Sequence, residues 1–85
     1  YWHGAPDLVI EVLSPSTAAR DRGVKFDHYE TAGVREYWLI DPMGLFVEVY
    51  TLKDGTFERA GLYERGVSFQ SAVLGKAVPV DVLLA

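Results

Sequence analysis

The first apolar segment of the chain, Leu-Val-Ile-Glu-Val-Leu, begins at Leu8 and contains one acid, Glu11, among hydrophobic residues. Successive side chains of a strand point to opposite faces of a sheet. The predicted face that includes Leu8, Ile10 and Val12 is wholly apolar. The opposite face combines hydrophobic residues with two acids, Asp7 and Glu11. The pattern predicts a β-strand that is apolar enough to lie centrally in a sheet covered on both faces.

A helical pattern follows this strand. Ser16 or Thr17 can cap a helix N-terminus, and a stripe of side chains with helical spacing runs through residues 18–32. Gly23 weakens the early turns, so the regular helix is expected to begin nearer Asp21. Gly33 is suited to the position just after a helix, where the backbone adopts a left-handed conformation.

Strand patterns dominate the rest of the chain. Strands are predicted at residues 35–41, 45–52 and 56–63, with a weaker one at 67–74 and a short apolar tail at 79–84. An Asp-Gly pair at 54–55 is a hairpin signal between two of them. The order strand, helix, strand predicts a βαβ unit with parallel strands and a right-handed crossover, followed by antiparallel strands. The predicted fold class is therefore α/β with a mixed sheet.

Composition limits the classes of protein that fit this pattern. With 85 residues, 49% of them hydrophobic, the chain is globular and forms at most one small domain. A net charge of −4 argues against a stand-alone nucleic-acid-binding surface, but permits an enzyme that contacts phosphates through a few local cations. The absence of cysteine excludes disulfides and thiolate metal sites and fits a reducing compartment such as the cytoplasm. No apolar run approaches the roughly 18 residues of a membrane-spanning helix.

Glu11 is the strongest candidate for a functional residue. An ionised carboxylate among apolar strand residues is costly unless a metal, a cation or hydrogen bonds compensate it, and a metal-dependent hydrolytic site is one common reason for its presence. A structural ion pair or a partly solvated position is the alternative. Asp7 follows Pro6, where a turn role is sufficient. It also lies about 13 Å from Glu11 along the strand, so a second ligand to the same ion is expected from a neighbouring strand.

Lys25 is the second candidate, on the predicted helix. A lysine at this position could reach the strand face and stabilise a charged transition state or orient a water molecule. The alternatives are an ion pair with Asp21, four residues earlier on the same helix face, and a structural role in which the stem of Lys25 lies on the core while its charge stays in water. Tyr29 is interpreted as a core residue. Asp41, directly before Pro42, is interpreted as a turn residue.

Two segments, GAPDLVIEVLSPST and RDRGVKFDHYETAGVREYWLIDP, resemble the Uma-two family of restriction-endonuclease-like proteins in the PD-(D/E)XK nuclease superfamily. The resemblance implies a nuclease that requires Mg²⁺ or Mn²⁺ and cuts phosphodiester bonds of DNA. It makes Glu11 the second acid of the signature and a metal ligand. The lysine expected two residues later is Leu13 here, and Lys25 matches a helix-borne lysine of the family, with a catalytic role.

The resemblance also implies that the first acid lies on an upstream strand, in its own Pro-Asp turn. Asp7 begins the Glu11 strand and does not match that acid. The chain is therefore interpreted as the C-terminal part of a longer nuclease-like domain, inactive on its own. The alternative is a non-catalytic, nuclease-like remnant that binds a protein partner, or forms a homodimer, through an open sheet edge.

Overall fold

The computed structural model describes residues 7–13 and 26–84. Within these ranges the chain forms β1 (Leu8–Val12), α1 (Phe26–Ala32), β2 (Glu36–Asp41), β3 (Phe46–Lys53), β4 (Thr56–Glu64), β5 (Ser68–Ser71), β6 (Lys76–Pro79) and α2 (Val80–Leu84). The larger sheet has the strand order β1-β2-β3-β4, and β5 and β6 form a separate hairpin. None of the helices in the described ranges is long and apolar enough to cross a membrane.

The predicted βαβ unit and mixed sheet are confirmed. β1 and β2 are parallel, with Glu11 opposite Leu39, and α1 lies between them in the chain. β3 pairs antiparallel with both β2 and β4. The hairpin between β3 and β4 turns at Asp54 and Gly55, whose φ angles are 54° and 80°. Positive φ at both central residues is the requirement of the tight hairpin turn that an Asp-Gly pair favours.

The end of α1 is set by Gly33, as predicted. Gly33 has a φ of 88°. Its N–H donates to the carbonyl of Glu30 at 3.2 Å, and the N–H of Val34 donates to the carbonyl of Tyr29 at 3.1 Å. These two bonds are those of a Schellman motif, which satisfies the last carbonyls of a helix. The motif fixes the last turn of α1, which carries Tyr29. The predicted start of the helix falls outside the described residues.

Each face of the larger sheet carries an apolar cluster. The hairpin cluster lies beneath the β5–β6 hairpin and α2 and consists of Trp38, Ile40, Val47, Val49, Phe69, Val78 and Val80. The helix cluster lies on the face covered by α1 and consists of Leu13, Val34, Tyr37, Leu39 and Phe57. Because side chains alternate along each strand, β2 contributes to both clusters. The sheet is therefore the central layer, with α1 on one face and the β5–β6 hairpin and α2 on the other.

The expected central position of the first strand is wrong for the described residues. β1 is the outermost strand of the described sheet. Leu8 packs against the hairpin cluster, but Ile10 and Val12 are 46% and 60% exposed. The physical reason is that α2, on this face of the sheet, has its main contacts with β2, β3 and β6. An apolar run by itself does not show which strands the neighbouring layer will cover.

The C-terminal region also differs from its prediction. The predicted strand at 67–74 ends at Ser71, and the chain turns back into β6. The predicted apolar tail is the end of β6 followed by the short helix α2. The start of α2 is held by two contacts: Asp81 Oδ1 accepts the Gly66 N–H at 2.9 Å, and the Val80 N–H donates to the Val67 carbonyl at 3.0 Å. Short apolar runs do not distinguish strand from helix, and these long-range contacts decide the outcome.

Glu36 joins the β5–β6 hairpin to the larger sheet. Its side chain is buried, with 1% exposed. Oε1 accepts the Ser71 hydroxyl at 2.6 Å, and Oε2 accepts the Ala72 N–H at 3.1 Å. The Val73 N–H lies 3.4 Å from Oε1, and Ser71 Oγ in turn accepts the Leu74 N–H at 3.1 Å. These donors compensate the burial of the carboxylate, which would otherwise be strongly unfavourable.

We expect Glu36→Gln to lower the free energy of unfolding by about 2 kcal/mol, because one accepting oxygen becomes an NH₂ group that cannot accept the turn N–H groups. Urea unfolding monitored by tryptophan fluorescence measures this change. Glu58→Gln, at an exposed position of β4, is the matched control and is expected to change stability by less than about 0.5 kcal/mol. Equal losses in the two variants would show that the Glu36 contacts do not hold the hairpin.

Candidate active site

A carboxylate and a phenol meet on the face of the sheet that α1 covers. The Tyr29 hydroxyl donates to Glu11 Oε1 at 2.7 Å. Both side chains are partly buried, and Val9 and Leu13, two residues to either side of Glu11, pack in the helix cluster. The alternation predicted for this strand therefore places Glu11 on the helix face. A separation of 2.7 Å is the usual length of an O–H···O hydrogen bond.

Aromatic packing positions α1 over this carboxylate. The ring of Tyr29 packs edge-on against buried Tyr37 with a centroid distance of 5.3 Å. Phe26 packs in the same manner against Phe57 at 5.2 Å. Glu30 Oε2 accepts the Phe57 N–H at 2.6 Å and ties α1 to β4. Edge-to-face contacts of this kind favour particular ring orientations, so the direction of the Tyr29 hydroxyl is set by its surroundings.

The interpretation of Tyr29 as a core residue accounts for only part of its contacts. Its ring packs against the helix cluster, as the helical stripe predicted. Its hydroxyl reaches a strand residue 18 positions away in sequence. Helical periodicity indicates which face a residue occupies, but it contains no information about the partner of a polar terminal group. The contact with Glu11 therefore becomes visible only in the folded chain.

The other residues considered in the sequence have different outcomes. Lys25 lies outside the described residues, directly before α1. Asp7 pairs with Arg35 at 3.5 Å, and the two side chains are 67% and 62% exposed. An exposed pair of this kind contributes about 0–1 kcal/mol. Asp41 Oδ1 accepts the N–H groups of Met43 and Gly44 at 3.0 and 2.9 Å, which confirms its turn role.

Glu48 is a second acid on the same sheet face, and it is not among the candidate residues predicted from the sequence. Leu39 lies opposite Glu11 on one side and opposite Glu48 on the other, so the two acids are two strands apart, about 10 Å between Cα atoms. Glu48 is 3% exposed. Its Oε2 accepts the Tyr50 hydroxyl at 3.0 Å and pairs with Arg59 at 3.4 Å. The pattern that marks Glu11, an acid within an apolar strand, could also have identified Glu48 in the sequence.

Glu11 is the candidate carboxylate ligand of a divalent metal ion. No group of three or more His, Cys, Asp or Glu side chains among the described residues is arranged to hold a metal. Mg²⁺ in proteins is commonly bound by one or two carboxylates, with waters and substrate phosphates completing the coordination. Glu11 accepts the hydroxyl of Tyr29, and carboxylate oxygens are ligands that Mg²⁺ takes in proteins. The donor chemistry of Glu11 therefore suits such an ion.

Comparison with known proteins identifies the family to which the chain belongs. The chain belongs to the Uma2 family, described as "Putative restriction endonuclease", whose model matches residues 1–81. It is 33% identical over 79 residues to an uncharacterized protein of Synechocystis sp., covering 92% of this chain and 42% of that protein. The chain thus spans less than half the length of this relative. The predicted family is confirmed.

A solved structure has the same fold. The crystal structure of a protein from Anabaena variabilis, described as a putative nuclease, matches with a TM-score of 0.74 at 24% sequence identity. The match covers 98% of this chain and 46% of that one. The predicted α/β fold class, with a mixed sheet followed by antiparallel strands, is confirmed by this likeness.

Proposed function

We propose that this chain forms part of a metal-dependent endonuclease that hydrolyses phosphodiester bonds of DNA, with Glu11 as a ligand of Mg²⁺ or Mn²⁺. The observation that carries the proposal is the partly buried Glu11 carboxylate, held by Tyr29 at 2.7 Å on the helix face of the sheet. Membership of the Uma2 family and the nuclease-like fold support a nucleic-acid substrate. In this proposal Glu11 is the second acid of a PD-(D/E)XK site.

Each residue has a distinct role in this proposal. A divalent ion bound at this site would activate water and neutralise negative charge on the phosphate. Glu11 contributes the fixed negative charge that attracts the ion. Lys25, which directly precedes α1 in the sequence, contributes a cation that stabilises the charge developing on the phosphate or positions the water. Tyr29 supports Glu11 through its hydroxyl.

The second candidate is a non-catalytic module that associates with a second copy of the chain through the edge of β1. The observation that favours it is the exposure of Ile10 and Val12 on the outermost strand of the described sheet. An unpaired strand edge is a template for pairing with another chain. This candidate requires concentration-dependent association, measurable by sedimentation velocity, and no metal-dependent cleavage of DNA. Cleavage that depends on Glu11 would exclude it as the sole function.

The first prediction tests Glu11 in the full-length protein. Mn²⁺ is expected to raise the thermal unfolding midpoint, because a ligand that binds only the native state stabilises it. Glu11→Gln should remove most of this rise and abolish Mn²⁺-dependent cleavage of plasmid DNA. Asp7→Asn changes an acid on the same strand face and is expected to preserve both properties. A Glu11→Gln protein that responds to Mn²⁺ like wild type would show that Glu11 is not a ligand.

The second prediction concerns Lys25. Lys25→Met keeps a flexible apolar stem but deletes the charge, so it should abolish cleavage while changing the unfolding free energy by at most about 0.5 kcal/mol. Asp21→Asn is the control, since it removes the acid four residues earlier and leaves the ammonium group in place. This control should remain largely active in the same plasmid assay. Full activity of Lys25→Met would remove the catalytic role of this lysine.

A further inference from the structure

We propose that Tyr29 is the positioning residue of the candidate site, and that its hydroxyl holds the Glu11 carboxylate in the orientation that binds a divalent cation. The inference rests on the proposed function, because it takes Glu11 to be the metal ligand. It extends that function by assigning a role in metal affinity to a residue of α1 whose position alone marks it as part of the core.

The first supporting observation is that Tyr29 is fixed independently of Glu11. Its ring packs against Tyr37 at 5.3 Å and against His28 at 5.7 Å. Its carbonyl accepts the Val34 N–H at 3.1 Å in the Schellman motif that ends α1. These contacts hold the ring and the backbone, so the hydroxyl is presented to Glu11 from a rigid support. A donor on a rigid support can orient a flexible carboxylate before any ion binds.

The second observation is that the donor which Tyr29 supplies to Glu11 is a neutral hydroxyl. A neutral hydroxyl orients a carboxylate without neutralising its negative charge, so this contact is compatible with a metal ligand. Glu48, on the same sheet face, receives a comparable hydroxyl from Tyr50 at 3.0 Å.

The same comparison supplies a matched control. Tyr29→Phe and Tyr50→Phe each remove one hydroxyl that donates to a glutamate on the helix face of the sheet. Both substitutions keep an aromatic ring in place. A purely structural role predicts similar behaviour of the two variants. A positioning role at Glu11 predicts that only Tyr29→Phe changes the response to metal.

The experiment titrates MnCl₂ into the full-length protein by isothermal calorimetry, without DNA. Tyr29→Phe is expected to raise the Kd for Mn²⁺ by about 10-fold or more, the usual consequence of losing a group that orients a metal ligand. Tyr50→Phe is expected to leave the Kd unchanged. Cleavage by Tyr29→Phe should fall at limiting Mn²⁺ and recover towards wild type at saturating Mn²⁺. Glu11→Gln should eliminate the binding.

A double-mutant cycle of Tyr29→Phe with Glu11→Asp tests whether the two side chains act together in metal binding. Aspartate keeps the carboxylate but withdraws it from the hydroxyl, so adding Tyr29→Phe to Glu11→Asp should cause little further loss of affinity. Fully additive losses would overturn the proposal. An unchanged Kd in Tyr29→Phe, with binding lost in Glu11→Gln, would overturn it and leave the proposed function intact. Unchanged binding in Glu11→Gln would instead overturn the proposed function.

Discussion

The packing of α1 against Tyr37 is the interaction on which the candidate site depends. Tyr37 is fully buried on β2 and receives the rings of Phe26 and Tyr29 from α1 at 6.2 and 5.3 Å. β2 is also the parallel neighbour of β1, which carries Glu11. β2 therefore positions both α1, which carries Tyr29, and β1, which carries Glu11. Loss of this packing would separate the Tyr29 hydroxyl from Glu11 without changing either residue.

The glutamates on β1, β2 and β3 of the larger sheet have different hydrogen-bond partners. Glu36 accepts hydrogen bonds from Ser71 and from backbone N–H groups of the β5–β6 hairpin. Glu48 pairs with a guanidinium and a hydroxyl. Glu11 is less buried and accepts the hydroxyl of Tyr29. Burial favours compensation by fixed donors or cations. The environments of Glu36 and Glu48 thus account for structural roles.

The hairpin and α2 form a second unit on the opposite face of the sheet, and β2 contributes side chains to both faces. Glu36 and Trp38 face this unit, and Tyr37 and Leu39 face α1, because neighbouring strand residues point to opposite faces. Stability on the hairpin face is therefore required to hold β2, which positions the helix face. A substitution such as Glu36→Gln should affect the site through the stability of the whole sheet and not through the contacts of Glu11.

The sequence by itself determined the strands near β1 to β4, the end of the helix at Gly33, the βαβ order and the candidacy of Glu11. These features depend on local periodicity and on turn residues, which act within a few positions of the chain. Only the tertiary structure decided that β1 is outermost in the described sheet, that residues 80–84 are helical, that Glu36 and Glu48 are buried, and that Tyr29 reaches Glu11. Each of these features depends on which distant surfaces pack together. Tyr29 and Glu11 are 18 residues apart, and the hydrophobic pattern around either residue does not show that the two side chains meet.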